Sequence, residues 1–163
     1  MAKNKEEKTN VMRVLEQKKI AYTPHSYPHE EGVAVDSVTV AQSMGFDPAI
    51  VFKTLVARGA SKQYYVFDVP VAENLDLKKA AKAVGEKSIE MIHQKELLPL
   101  TGYVHGGCSP VGMKKLFPTV FHSSAENLAA MIVSAGKIGY QVELAPHDLA
   151  ALVRAKFADI IVE

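Results

Sequence analysis

Residues 50–57, Ile-Val-Phe-Lys-Thr-Leu-Val-Ala, restrict what this chain can fold into more than any other stretch. Seven of the eight are apolar or β-branched, and the run is short, so it reads as a strand buried on at least one face. Side chains alternate across a strand, so Val51, Lys53, Leu55 and Ala57 share one face, and Ile50, Phe52, Thr54 and Val56 the other. A lysine therefore stands among aliphatic neighbours. An ammonium group in such surroundings deprotonates, finds a partner or stays wet. Lys53 either points into a polar pocket or guards an exposed edge strand against aggregation.

The 163 residues suffice for one domain with a hydrophobic core, read as 1–163 with a frayed charge run over 1–8. A formal charge of +1, from 19 Lys+Arg against 18 Asp+Glu, argues against a strong non-specific grip on nucleic acid. It leaves room for a local basic patch that recognises one RNA end. The lone cysteine, Cys108, excludes an internal disulfide framework and fits a reducing compartment. Met1 to Asn10 is polar and charged, no apolar leader follows, and no apolar run reaches membrane-spanning length. The expectation is a cytoplasmic protein with neither DNA nor a membrane as partner.

Along the chain, Thr9 or Asn10 can cap a helix carrying Val11, Met12, Val14 and Leu15, which ends near Lys18-Lys19. Residues 21–27 read as an extended segment, and Pro24 marks it as an edge strand. Pro28 to Val35 is a surface loop; Asp36 or Ser37 caps a short helix that Gly45 closes. Asp47-Pro48 turns the chain into the Lys53 strand, and a hairpin loop over 58–62 leads to a second strand, Tyr64–Pro70. Asp76 caps a helix over 77–84 whose Leu77, Ala80, Ala81 and Val84 share one face, ended by Gly85. Lys78, Lys79 and Lys82 on the other face read as its wet side, the alternative being a contact for nucleic acid. Further strands are expected at 88–92, 119–122, 131–134 and 140–144, with helical turns over 94–98 and 125–128. Pro146 opens a last helix to Arg154, and 159–162 closes the chain. Strands grouped between helices, without a regular βαβ rhythm, predict a mixed α+β domain.

Gly106-Gly107-Cys108-Ser109-Pro110-Val111-Gly112 is the second focus. Glycines let a ligand sit against backbone N–H groups, an array suited to a carbonyl oxygen that gains charge during acyl transfer. Pro110 stiffens the loop. The other reading is an ordinary tight turn. It is no phosphate-binding P-loop, since the Gly-Lys-Ser/Thr ending is missing. Cys108, with His105 three residues away, has the makings of a nucleophile, yet activation needs a base in reach and a lowered pKa. A small buried thiol in a turn is the commoner outcome. The six histidines are scattered without zinc spacing, so no metal and no cofactor is expected.

Five blocks, in order and spacing, give the chain a family resemblance: Gly45-Phe46-Asp47-Pro48 with Phe52-Lys53-Thr54-Leu55; residues 74–81; Gly106 to Gly112; Val133-Ser134-Ala135-Gly136-Lys137; and residues 143–149. Together they resemble the YbaK/EbsC family over nearly the whole chain. The resemblance implies a barrel-like mixed sheet surrounded by helices. It implies an editing enzyme that acts in trans, removing cysteine esterified to proline tRNA. The partners would be the 3′ end of that tRNA and prolyl-tRNA synthetase. Lys53 matches the family's essential lysine, Gly106 to Pro110 its Gly-x-x-x-Pro loop, Ser134 its site serine and Tyr27 its pocket tyrosine. The implied site thus comprises Lys53, Gly106 and Gly107 as catalytic groups, with Tyr27, Thr54, Cys108, Ser109, Pro110 and Ser134 binding substrate. Gln141 stands where some relatives carry an acid. The implied chemistry is substrate-assisted: the thiol of the bound cysteine attacks its own ester. Rival readings are a deacylase for another small aminoacyl group, alanyl among them, and a pocket-bearing regulator that hydrolyses nothing.

Overall fold

Alternation in the short apolar runs produces strands, and their pairing decides where a cavity can open. The computed structural model describes residues 8–27 and 37–163. The charge run before Lys8 and the expected loop and cap over 28–36 lie outside the described residues. In chain order the elements are α1 (Asn10–Gln17), β1 (Thr23–Ser26), α2 (Ser37–Ser43), β2 (Phe52–Gly59), β3 (Tyr64–Pro70), α3 (Leu77–Val84) and β4 (Ile89–Met91). They continue with α4 (Gln94–Thr101), β5 (Thr119–His122), β6 (Met131–Ser134), β7 (Tyr140–Leu144), α5 (Pro146–Val153) and β8 (Ala155–Ala158).

The strands form a five-stranded sheet ordered β4-β2-β3-β5-β8 and a three-stranded sheet ordered β1-β7-β6. Pairing is antiparallel for β2 with β3 and β4 and throughout the smaller sheet, but parallel for β3–β5 and β5–β8. This is the mixed α+β class the sequence predicts. Pro24 sits in an outer strand, where its missing N–H does no harm.

The expected barrel-like sheet is not closed. Among the described residues, the two sheets are joined by a parallel bridge between Val51 and Ile132. β3 pairs with β2 along the whole length from Phe52 to Arg58. On the other side β4 takes only Ala57 to Gly59, and β6 reaches only Val51. Residues 52–55 therefore run through a split, with no ladder partner on that side among the described residues.

Apolar layers fix this arrangement. Leu15, Phe121, Met131 and Leu149 meet in one fully buried cluster beneath α1 and α5. Phe67, Val69, Ala80 and Ile160 form a second beneath α3. Each large side chain so buried contributes roughly 1.5–3 kcal/mol. Polar caps place the helices: Thr9 Oγ1 accepts the Met12 amide at 3.3 Å, and Asp76 Oδ1 accepts those of Lys78 and Lys79 at 2.9 and 3.0 Å.

Three local expectations shift. α4 runs on to Thr101, past Pro99, because the Thr101 hydroxyl bonds the Leu97 carbonyl and the Gly102 amide bonds that of Leu98. The helix expected near 125–128 is a 3-10 turn over Ser123–Asn127. β8 is a strand the sequence reading leaves unassigned; it exists because β5 offers it a parallel edge, after Arg154 ends α5 in a left-handed conformation.

Removing the cap on α3 tests this account of local order. Asp76→Ala should lower stability by about 1 kcal/mol, read as a lower urea midpoint with an unchanged slope.

Candidate active site

The split in β2 opens into a cavity of about 400 Å³, a size ordinary for small-molecule sites. Phe52, Lys53, Thr54 and Leu55 form its wall on β2. Tyr27 stands at the end of β1, its amide donating to the Gly139 carbonyl at 2.9 Å. Ser134, Tyr140 and Gln141 enter from β6 and β7, and His105, Gly106 and Cys108 from the glycine loop. Lys53 is half-buried on this wall, so of the two readings of the lysine the pocket is the one realised.

The loop owes its shape to its glycines. Gly106 has φ +90°, a backbone conformation side chains rarely adopt. Gly107 packs directly on the 135–139 turn: a Cβ there would lie 3.0 Å from the Ile138 amide nitrogen and 3.3 Å from the Lys137 Cα. Two of the blocks singled out in the sequence thus rest against each other. Tyr103 straps the loop by donating its hydroxyl to the Val111 carbonyl.

The cavity brings together Tyr27, Lys53, Thr54, Gly106, Cys108 and Ser134 from the expected set. Gly107, Ser109 and Pro110 do not line it. The Gly107 amide donates to the Val104 carbonyl at 2.9 Å, closing a turn, so it is engaged before any ligand arrives. Ser109 is fully buried and its Oγ accepts the Val111 amide at 3.2 Å, which braces the loop from behind. Pro110 is buried beside it. From the loop, the residues that line the cavity are His105, Gly106 and Cys108.

Cys108 is 8% exposed, and burial followed by the nearby Asp68 charge pushes its thiol up to about 12. It stays protonated at neutral pH, and a protonated thiol is a poor nucleophile. His105 lines the same cavity, but a thiol held this far from ionisation is not an activated pair. The Ser134 Oγ accepts the Gly136 amide at 3.1 Å, fixing the turn that follows β6.

Two polar groups that sequence reasoning did not assign to the site lie against it. Asp68, on β3 opposite Thr54, is fully buried and accepts the Thr54 hydroxyl at 2.5 Å, while its Oδ2 has no partner among the described residues. Burial lifts its carboxyl to about 7, against the downward pull of the Thr54 bond. The signal was an acid inside the apolar run Tyr64–Pro70, the same anomaly that singled out Lys53. Gln141, also lining the cavity, has a buried Oε1 without a partner among the described residues. Buried acceptors left open are costly, and such atoms point to a ligand or to another use.

A family model described as aminoacyl-tRNA editing domain matches residues 31–152. A protein from Enterococcus faecalis named as a candidate Cys-tRNA(Pro)/Cys-tRNA(Cys) deacylase, EbsC, is 46% identical over 161 residues, covering 98% of each chain. A crystal structure described as a candidate trans-editing enzyme for prolyl tRNA synthetase superposes with a TM-score of 0.79 at 25% identity, covering 94% of this chain and 95% of that one. The crystal structure of a hypothetical protein reaches 0.82 at 18% identity over 93% and 99%, a likeness of fold alone.

Two outcomes test the packing around this cavity. Gly107→Ala forces its neighbour's backbone to move and should cost about 1–3 kcal/mol in urea unfolding. Asp68 is raised from an ordinary 3.8 to about 7 on folding, so the folded state binds the extra proton. Stability should be greatest below about pH 4 for this group and decline as pH rises to about 7, by on the order of a few kcal/mol. Asp68→Asn should erase that decline, read by urea unfolding across the same range.

Proposed function

This chain belongs to the aminoacyl-tRNA editing domain family, and we propose that it removes cysteine from mischarged proline tRNA. One observation carries the reading: Lys53 and the loop residues Gly106 and Cys108 line the same cavity. That combination suits an ester at the end of a polyanion. A cation holds the nucleic acid, and backbone amides receive the carbonyl oxygen as it gains charge. Cysteine and proline are close in bulk, so a synthetase pocket cannot separate them by size, and a second site must.

In the proposed reaction the substrate provides its own nucleophile. The sulfur of the esterified cysteine bonds to its carbonyl carbon, and the bond from that carbon to the ribose oxygen breaks. The ribose oxygen takes up the proton that the thiol gave off. The products are a cyclic thiolactone and tRNA with a free 3′ end. The protein's part is to orient and to stabilise. Orientation is worth up to about 7–11 kcal/mol, and a well-placed donor to the oxyanion roughly 3–4 kcal/mol.

We assign the amides at Gly106 and Cys108 to the carbonyl, and Lys53 to the terminal adenosine or its phosphate. Tyr27, Thr54 and Ser134 shape the pocket, and the open Gln141 Oε1 accepts from the substrate's ammonium group. Gly107, Ser109 and Pro110 act by holding the loop. The Enterococcus relative carries both proline and cysteine tRNA in its name, which fits a site that reads the aminoacyl group more than the tRNA body. A formal charge of +1 gives little unaided hold on tRNA, so we place the protein beside prolyl-tRNA synthetase when it acts.

The decisive assay is deacylation of a panel of aminoacyl-tRNAs, with cysteinyl and alanyl esters on proline tRNA first. Cysteinyl ester should be cleaved and alanyl ester spared, since alanine has no thiol to cyclise; equal turnover of both would overturn the mechanism. Lys53→Ala should lose deacylation by at least about a hundredfold with its unfolding curve unchanged. Cys108→Ser should keep turnover within about tenfold, because the proposal uses that residue's backbone and not its thiol.

A further inference from the structure

The site contains a carboxyl that the reaction above does not use. Asp68 lies across the ladder from Thr54, 0% exposed, with its Oδ1 2.5 Å from the Thr54 Oγ1 and its Oδ2 unpartnered among the described residues. Thr54 lines the cavity. Asp68 therefore reaches the substrate only through one hydroxyl, and a hydroxyl has a single hydrogen to give.

That hydrogen can point two ways. With Asp68 ionised, the Thr54 O–H must donate downward to the carboxylate, and the oxygen offers the cavity lone pairs. With Asp68 protonated, the carboxylic acid donates to Thr54 Oγ1, and the Thr54 O–H is released toward the cavity as a donor. The geometry points to Asp68 as a positioning residue that sets, through Thr54, whether the cavity presents a hydrogen-bond donor or an acceptor to the ester. This inference rests on the deacylase reading and extends it. A carbonyl oxygen gaining negative charge is stabilised by the donor state and opposed by the acceptor state.

The surroundings keep the switch simple. From the glycine loop Cys108 acts on Asp68, and Tyr103 stands behind Cys108; both are pushed up to about 12 by burial and remain neutral. On β5 the neighbour across the ladder is Phe121, and on β2 it is Thr54 itself. Lys53, the residue before Thr54 on β2, lines the same cavity, as does His105 from the glycine loop, and both are present alike in the wild type and in Asp68→Asn. Burial sets Asp68 to about 7, so the two states exchange near neutrality.

The experiment compares deacylation of cysteinyl-tRNA(Pro) by the wild type and by Asp68→Asn from about pH 5.5 to about pH 8.5. Asparagine keeps the shape, and its NH2 donates to Thr54 at every pH, locking the donor state. Thiol ionisation of the substrate affects both proteins alike and cancels in the ratio of their kcat values. The ratio of Asp68→Asn to wild type should rise at least about tenfold across this range, turning near pH 7. Thr54→Val should remove that pH dependence of the ratio, and Thr54→Ser should restore it. An active wild type with a flat ratio overturns the role of Asp68 while leaving the deacylase reading intact. A wild type inactive on this ester at every pH overturns both. As a readout independent of turnover, the Asp68 carboxyl carbon followed by NMR should titrate near pH 7; titration below pH 5 would also sink the switch.

Discussion

The structure depends on how β2 is shared. β3 pairs with it along its length, but β4 and β6 divide the opposite side and meet it only at its two ends. Among the described residues, the stretch between those two ends is not covered by a second ladder. Here the stretch is residues 52–55, and what faces it is the cavity. The same split resolves the cost of Lys53. An ammonium among aliphatic residues would be unstable inside a continuous sheet, but at the break it stands half-buried on the wall of a polar pocket.

The opposite wall is held by close backbone packing. The glycine loop and the 135–139 turn approach so nearly that even a methyl group at Gly107 would collide with backbone. Ser109 and Tyr103 pin the loop from behind, each through a hydroxyl bonded to the main chain at Val111. A wall braced in this way suits the proposed role, because donors already held in place stabilise developing charge without reorganising. Rigidity here comes from residues that never touch the cavity.

This division explains what was legible in the sequence. β2, β3 and the Asp76-capped helix were readable because alternation, turn residues and caps are local signals. Lys53 was readable because a charge in an apolar strand is anomalous wherever the strand lies. Asp68 carries the same anomaly on the neighbouring strand, yet its meaning depends on facing Thr54 across the ladder, a register that no local signal gives. The glycine loop was recognisable as a site, but not which of its residues reach the cavity: Gly107 and Ser109 support the turn, while Gly106 and Cys108 line the cavity. β8 had no local signal at all, being a strand because β5 gives it an edge.

Cys108 shows why the electrostatics of the cavity matter as much as its shape. In the proposed reaction the reactive thiol belongs to the substrate, so a second thiolate in the wall would compete for the same carbonyl. Attack by the protein's own sulfur would move the cysteinyl group onto the enzyme as a thioester, which must then be cleared. Burial, and the charge of Asp68 whenever that group is ionised, oppose ionisation of the Cys108 thiol. The substrate thiol enters from water and keeps its ordinary acidity until it binds. If the proposed reaction holds, two identical functional groups in one cavity are given different reactivities by their surroundings alone, and the one that arrives with the tRNA is the one set to react.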